Sequence, residues 1–422
     1  MTKPSSLLPA LAGLLLLAAP AARASTYGDN LLGIGTGARA LAGTGTAAPQ
    51  DVTGALTANP ATLSFLTRPQ PGPRTVEVSA TFFRPRVSAR VGAVAADSAG
   101  KTYVIPALAL ATAAPTAGRP WTWGLAAYGV SGMGVDYRAT ALDAPLAPTP
   151  FPLVAGVRTE LQVLTVAPAV AYRCSAEWSV GLALQLNRGR LDLGSGAKSG
   201  LGAGVLPGLA YRASERLTLG LAYVAPIALT YRGVTDFDGD GAADDLRLES
   251  PQQFKVGAGY EVLPGRLLLA ADAQWVNWGR ARGYRDFDWR DIWVVALGVQ
   301  YRAWHDRLTL RAGYARNGNP VRAHQGWDGT GTPANVTVVQ GKRVNNYYYE
   351  TFRIVGFPAI VVQHVSVGAA WRLGADTTLA LGYTHAFRHR ITESGTNLLG
   401  APVTLSSTLS EDSFELEFAR RF

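Results

Sequence analysis

Leu217-Thr218-Leu219-Gly220-Leu221-Ala222-Tyr223 and Phe254-Lys255-Val256-Gly257-Ala258-Gly259-Tyr260 share one pattern, an apolar residue at every second position with small or polar residues between. A period of two puts the two sets on opposite faces of a β-strand, so each stretch has one greasy face and one that is small or polar. The greasy face has no water-soluble frame to turn into. Only 16% of the 422 residues are charged, well below the roughly 25% of soluble domains, and a large water-facing surface needs more charge. A helical membrane protein does not fit either, because Gly, Pro, Thr or a charge interrupts every apolar run in the body of the chain before the ~18 residues a spanning helix needs. The one cysteine, Cys174, excludes internal disulfides and multi-cysteine metal sites. What remains is an all-β chain that is apolar on its outside.

The same alternation recurs from about residue 74 to the end, in fourteen segments at about 74–91, 101–113, 121–138, 159–173, 178–188, 200–213, 216–232, 251–263, 266–280, 289–303, 307–316, 360–372, 376–390 and 410–422. Most reach the ~9–11 residues that a tilted strand needs to cross a bilayer. Even-numbered segments end in tight turns such as Ala213-Ser214-Glu215 and Trp304-His305-Asp306, whereas odd-numbered ones mostly run into longer stretches at 139–158, 189–199, 233–250, 317–359 and 391–409. Short turns at one end and long loops at the other mark a bacterial outer-membrane barrel. Trp121, Trp123, Trp178, Trp304 and Trp371 fall near the short-turn end and Trp275, Trp278, Trp289 and Trp293 near the long-loop end, as two aromatic girdles would. The final strand, with Phe414, Leu416, Phe418 and the terminal Phe422, carries an alternating apolar ending that resembles the assembly signal of outer-membrane barrels, read by the outer-membrane assembly machinery, with Arg420 where another apolar residue is usual. A soluble β-sandwich would not need apolar residues on the outward face of nearly every strand.

Residues 1–24 read as a secretory signal peptide: Lys3, an apolar run Leu7–Leu17 too short to span, and the cleavage site Ala22-Arg23-Ala24. Export, and a modest charge of +9 spread over loops, make a nucleic-acid partner improbable. Residues 25–73 are too rich in Gly and Ala for strands, and Gly33-Ile34-Gly35-Thr36-Gly37-Ala38 lacks the strand and βαβ context of a dinucleotide fingerprint. This segment reads instead as a compact piece whose small residues pack closely inside something, ahead of a barrel over 74–422.

Gly37-Ala38-Arg39-Ala40-Leu41-Ala42-Gly43-Thr44-Gly45, then Asp51 and Asn59-Pro60-Ala61-Thr62-Leu63, resembles the N-terminal hatch of the FadL/TodX family of outer-membrane transporters of hydrophobic compounds. The resemblance continues through Gly129–Tyr137, similar to the family's glycine-broken third strand, and through Gly208–Arg212, Leu219–Pro226, Asp272, Trp275, Trp278, Asp291-Ile292-Trp293 and Leu310–Tyr314, in the family's order over roughly 350 residues. It implies a 14-stranded antiparallel transmembrane β-barrel in the bacterial outer membrane, plugged by the hatch, a monomer that takes up long-chain fatty acids or aromatic hydrocarbons by passive diffusion. It also implies lateral exit at the kinked third strand. The loops at 189–199 and 233–250 are short where the family forms its outer capture groove, which puts that groove in doubt.

On that reading Asn59, Pro60 and Ala61 brace the hatch, either as a gating hinge or as a static turn, because an Asn amide pairs several backbone groups while Pro fixes the bend. Gly129, Gly132 and Gly134 weaken the third strand and permit a bulge or a lateral opening. Phe83, Leu206 and Val224 are apolar lumen positions. Alternation also turns Lys255, Arg311, Gln300, His364 and Glu417 inward, where Lys255 or Arg311 could hold an anionic head group or join a network with Glu415, Glu417 and Asp272. Asp236, Asp238 and Asp240 are spaced like the start of a calcium loop, but position twelve is Arg247, so a solvated acidic loop competes with a weak Ca²⁺ site; no other cofactor is expected. Basic residues Arg280, Arg282, Arg285, Arg290, Arg322, Lys342 and Arg343 suit lipopolysaccharide phosphates or anionic substrates. No G-x-S-x-G or metal-ligand histidine pairing points to an enzyme. A porin for polar solutes is the nearer alternative and an outer-membrane lipase the more remote.

Overall fold

The computed structural model describes residues 26–66, 74–100, 102–112, 120–331 and 334–422, so the signal-peptide reading lies outside the described residues. Fourteen antiparallel strands close on themselves: β1 Arg74–Val91, β2 Tyr103–Thr112, β3 Trp121–Asp136, β4 Arg158–Arg173, β5 Trp178–Asp192, β6 Lys198–Arg212, β7 Leu217–Val224, β8 Gln253–Leu263, β9 Leu267–Val276, β10 Ile292–Ala303, β11 Leu308–Asn317, β12 Gln363–Arg372, β13 Thr377–Thr396 and β14 Pro402–Arg421. Each pairs with its sequence neighbour, and β14 pairs with β1 from Leu405↔Val91 to Arg421↔Thr75, which removes both edges.

Alternation decides what each face meets. Leu219, Leu221, Phe254 and Val256 are exposed on the outside, while Gly220, Ala222 and Gly257 face in. Trp121, Trp123, Trp178, Trp304 and Trp371 are all exposed at the short-turn end, as a lipid-facing girdle requires. The other girdle is thinner than the sequence suggests. Trp293 is exposed, but Trp278 and Trp289 are buried and pack with Tyr284, because the chain turns inward after Val276. Two expected loops are also strand. β5 and β6 run on to leave only residues 193–197 between them, and β13 and β14 leave only 397–401. Conversely, β7 ends at Val224, and Ile227–Thr235 leaves the wall to pair with Asp244–Ser250 as a separate ribbon, with Leu229 and Tyr231 buried against β5 and β6.

Residues 26–66 lie inside the ring: a small ladder of Thr26–Tyr27 with Asn30–Leu31, helices α1 Thr36–Ala40 and α2 Val52–Ala58, and a 3₁₀ turn Pro60–Phe65. Backbone N–H groups left free at helix starts and turns need acceptors, and inward carboxylates of the wall supply them. Glu417 accepts from Thr36 N (3.0 Å), Glu77 from Val52 N (2.9 Å) and Thr53 N (2.8 Å), Asp272 from Gly45 N and Thr46 N, and Glu411 from Thr26 N. Glu415 pairs with the buried Arg39 at 2.7 Å. The long loops fill the other end of the ring. Helix α3 Asn346–Thr351 and the π-turn Phe352–Gly356 bury Tyr347, Ile354 and Val355 against Leu142, Leu146 and Leu153. By the usual asymmetry of these barrels the short turns face the periplasm and this packed mouth faces out.

Candidate functional site

Asn59 ties the plug to the wall. Its Nδ2 donates to Thr46 O (2.7 Å) within the plug and to Leu209 O (3.0 Å) on β6, while its Oδ1 accepts from Ala61 N (3.1 Å). Pro60 opens the 3₁₀ turn and Ala61 O accepts from Ser179 Oγ on β5. Such a close approach is open only to a wall without side chains at that point. A Cβ on Gly208 would sit 1.9 Å from Asn59 Oδ1, and one on Gly181 would sit 2.2 Å from Ala61 N.

The wall is incomplete between β2 and β3. Their ladder pairs Ala107–Ala111 with Gly124–Tyr128 and stops. It is closed again above, where Ala99 N donates to Asp136 O (2.7 Å) and Asp136 N to Ser98 Oγ (3.0 Å). On its other side β3 slips register against β4 between Gly129 and Ser131, a bulge. The resulting window is covered from inside by the plug's first ladder: Asn30 pairs with Ser131, and Gly132 N donates to Asp29 O (3.1 Å). Leu31, Phe83 and Ile105 pack together across it. The Asp29 carboxylate accepts from Tyr284 OH, so an outer loop reaches the same segment.

Behind the window lie two small chambers, of about 80 and about 50 Å³, which share Asn30, Val130, Gln185, Val224 and Gln253 as walls. Leu31, Leu32, Ile34 and Val294 make one side of the larger chamber apolar, and Lys255, Asp272 and Gln274 make the other polar. Below the plug a vestibule of about 1550 Å³ opens among the short turns. Of the five lumen residues expected to bind substrate, only Val224 and Lys255 line a chamber. Phe83 is used in closing the window, Leu206 is buried against the plug among Leu56, Leu63 and Tyr128, and Arg311 faces the vestibule, donating to Gln300 Oε1 at 2.8 Å. The expected lumenal ion network is different as well. Asp272, Glu415 and Glu417 serve the plug, and Lys255 has no hydrogen-bond or ion-pair partner among the described residues.

The acidic loop also differs. Asp236, Asp238 and Asp244 converge, without Asp240, and the ammonium of Lys342 from the neighbouring hairpin lies 2.6 Å from Asp244 and 3.5 Å from Asp238. That lysine sets one positive charge against these carboxylates. A second cluster was not legible in the sequence: His324 contacts Glu350 through Nδ1 (2.7 Å) and Asp288 through Nε2 (2.9 Å), and Arg353, fully buried, touches His324, Glu350 and Glu393. The hydrogen bond to Glu350 raises the His324 imidazole above its ordinary range. The arrangement latches three chain segments of the outer mouth together.

Residues 15–206 match the family described as outer membrane protein transport protein (OMPP1/FadL/TodX). Among solved structures, the P. putida toluene transporter TodX is similar at 19% identity, over 93% of this chain and 99% of that one, with a TM-score of 0.68. A Pseudomonas aeruginosa FadL homologue is similar at 16% identity over 94% and 100% (TM-score 0.66), and the Ralstonia pickettii toluene transporter TbuX at 17% over 93% and 99% (TM-score 0.64). No curated protein matches.

Proposed function

We propose that the chain is a member of the OMPP1/FadL/TodX family of outer-membrane transport proteins, whose family model matches residues 15–206, that its cargo is a compact hydrophobic molecule of the monoaromatic class and that this cargo leaves the barrel sideways through the window between β2 and β3. The observation that carries the reading is the position and size of the chambers: they abut the window at Val130, and together they approach the volume, on the order of 150 Å³, at which an apolar protein cavity accepts benzene. A pocket for a drug-sized or longer chain needs roughly 300 Å³ or more. Two of the structural neighbours are toluene transporters, which agrees. The plug and the packed outer mouth argue against an open porin.

One feature favours a second reading. Lys255 presents an unpaired ammonium to the larger chamber, and a buried carboxylate must be paired; a fatty acid whose head group docks there would extend its chain only if the plug moved. Uptake of labelled toluene and of labelled oleate, by cells producing the protein or its Lys255→Met variant, separates the two. Toluene uptake equal in both proteins with no oleate uptake supports the monoaromatic reading. Oleate uptake that Lys255→Met abolishes overturns it in favour of the fatty acid.

A further inference from the structure

The outside of the barrel changes character abruptly on β13, β14 and β1, and the register makes the change readable row by row. The row Tyr383–Phe414–Phe82 is aromatic, and the row below it, Leu381–Leu416–Ala80, is apolar. Above them come His385–Asp412–Arg84, then Ser410–Arg86, then Arg390–Thr408–Ser88, then Thr392–Ser406–Arg90. Arg84, Arg86, Arg90, Arg388 and Arg390 are all exposed on this wall. Arg390 donates to Ser406 Oγ at 3.1 Å, and a groove of about 530 Å³ runs between Arg90, Arg390, Ser88, Ser406, Thr408 and Asp97.

Charge on this face is not balanced. Asp412 is already used by Arg86 (3.2 Å), by His385 Nδ1 and by Tyr383 OH (both 2.8 Å). Asp97 at the groove edge is the other acid of this face, and Arg84, Arg90 and Arg388 make no ion pair among the described residues. On the rim of β3 to β5 the acids are shared among the cations: Arg138, Arg158 and Arg190 each pair with Asp136, Glu160 or Asp192, and Arg188 stands there as a single exposed arginine without an ion pair among the described residues. Cations left unpaired on one sector of an outer wall call for an anion from outside the chain.

Height identifies that anion. On β14 the outward apolar residues are Phe414, Leu416 and Phe418, between Asp412 and Arg420. At about 3.4 Å per residue and a tilt near 40°, that interval is roughly 20 Å tall, close to the ~25 Å apolar band of such barrels. Each further pair of residues climbs about 5 Å. Arg84 therefore stands at the level where the hydrocarbon ends, and Arg90 about 15 Å above it. A glycerophospholipid phosphate would reach only the lowest of these rows. A phosphorylated sugar head group spans them all, with guanidinium forks for its phosphates and Ser and Thr hydroxyls for its sugars.

We infer that the outward face of β13, β14 and β1 is a binding site for a phosphorylated glycolipid of the outer leaflet. The protein in nanodiscs, titrated with a bisphosphorylated lipid A and observed by native mass spectrometry, should retain the glycolipid. A variant combining Arg84→Gln, Arg86→Gln, Arg90→Gln, Arg388→Gln and Arg390→Gln should retain at least about tenfold less, roughly 1.4 kcal/mol, while Arg188→Gln on β5 should retain it as the parent does. Heat-modifiable gel mobility confirms that each barrel is folded, and the pairs Arg84→Gln/Arg86→Gln and Arg388→Gln/Arg390→Gln serve if the fivefold variant fails to fold. Dephosphorylated lipid A should bind the parent as poorly as lipid A binds the variant, and millimolar inorganic phosphate should not displace the glycolipid. Equal retention by folded parent and variants, or equal retention of the dephosphorylated lipid, would overturn the assignment and reduce the patch to nonspecific adhesion.

Discussion

A covalent staple tests whether the window is the way out. A Cβ placed on Gly129 lies 4.0 Å from the Cβ of Ile105 and 2.6 Å from its Cγ2, so the two positions face each other just past the last ladder pair, Ala107–Tyr128. That Cβ separation falls inside the roughly 3.5–4.5 Å range of native disulfides, so Ile105→Cys with Gly129→Cys should cross-link without moving either strand. The crossing is well placed, because Val130, adjacent to Gly129, walls both chambers. Closing a loop of about 25 residues should also stabilise the barrel by about 3 kcal/mol in the chain-entropy account. A failure to transport could not then be blamed on a weaker fold. The experiment is made with Cys174→Ser, which removes the only native thiol. Uptake of labelled toluene should fall to the level of cells lacking the protein when the pair is oxidised, and return on adding reductant. Full uptake by protein whose cross-link is confirmed by mass would refute lateral exit here, leaving only a route past the plug into the vestibule.

Asn59→Ala should leave Thr46 O and Leu209 O without their donor, costing about 1–3 kcal/mol in plug docking. Hydrogen exchange should then speed up at residues 45–62 while heat-modifiable mobility of the barrel stays unchanged; equal exchange in both proteins would show that the contact holds nothing. Gly208→Val forces a Cβ to within 1.9 Å of Asn59 Oδ1, so the plug must shift, and single-channel recordings should show a raised leak conductance to small ions. An unaltered leak would mean that the plug adapts locally. The latch at His324 should depend on pH. Its imidazole is raised above the ordinary value by Glu350, so its contribution is complete below about pH 6.5 and is lost as pH rises through the higher folded value. Exchange at residues 346–353 should therefore be faster at pH 9 than at pH 6 in the parent and independent of His324 titration in His324→Gln; a pH dependence identical in both proteins would exclude the latch.

The strands were legible because a barrel in lipid writes its two environments into alternate residues, and Leu219 or Phe254 cannot be mistaken for Gly220 or Lys255. The same logic explains the misreadings. Where β5, β6, β13 and β14 rise past the hydrocarbon, their outward positions become Arg188, Arg190, Arg390 or Ser406, and the alternation fades although pairing continues. Trp278 and Trp289 were misplaced because a tryptophan beyond a strand end can face lipid or fold inward, and composition does not say which. Asp272, Glu415 and Glu417 were legible as inward charges. Their partners were not, since apart from Arg39 these are backbone N–H groups of Gly45, Thr46 and Thr36, and a backbone donor leaves no mark in a sequence. Lys342 was likewise hidden from the acidic loop by about a hundred residues of chain.

The plug's first seven residues bring the parts of this site under one constraint. Asn30 and Leu31 are walls of the larger chamber, and Asn30 is also a wall of the smaller. The same Asn30 pairs with Ser131 across the window, Leu31 packs on Phe83 and Ile105 in it, and Asp29 is held by Gly132 N on one side and by Tyr284 OH of an outer loop on the other. A ring the size of toluene needs more room than either chamber has alone, and Asn30 forms part of the wall between them. Accommodating it therefore displaces the strand that covers the window, at the cost of a few backbone hydrogen bonds each worth about 1 kcal/mol. The helices α1 and α2 do not have to move for this, since Glu417 and Glu77 hold them separately. Under the proposed function, lateral exit by this route asks only that one short segment yield, while Glu417 and Glu77 keep α1 and α2 docked inside the ring.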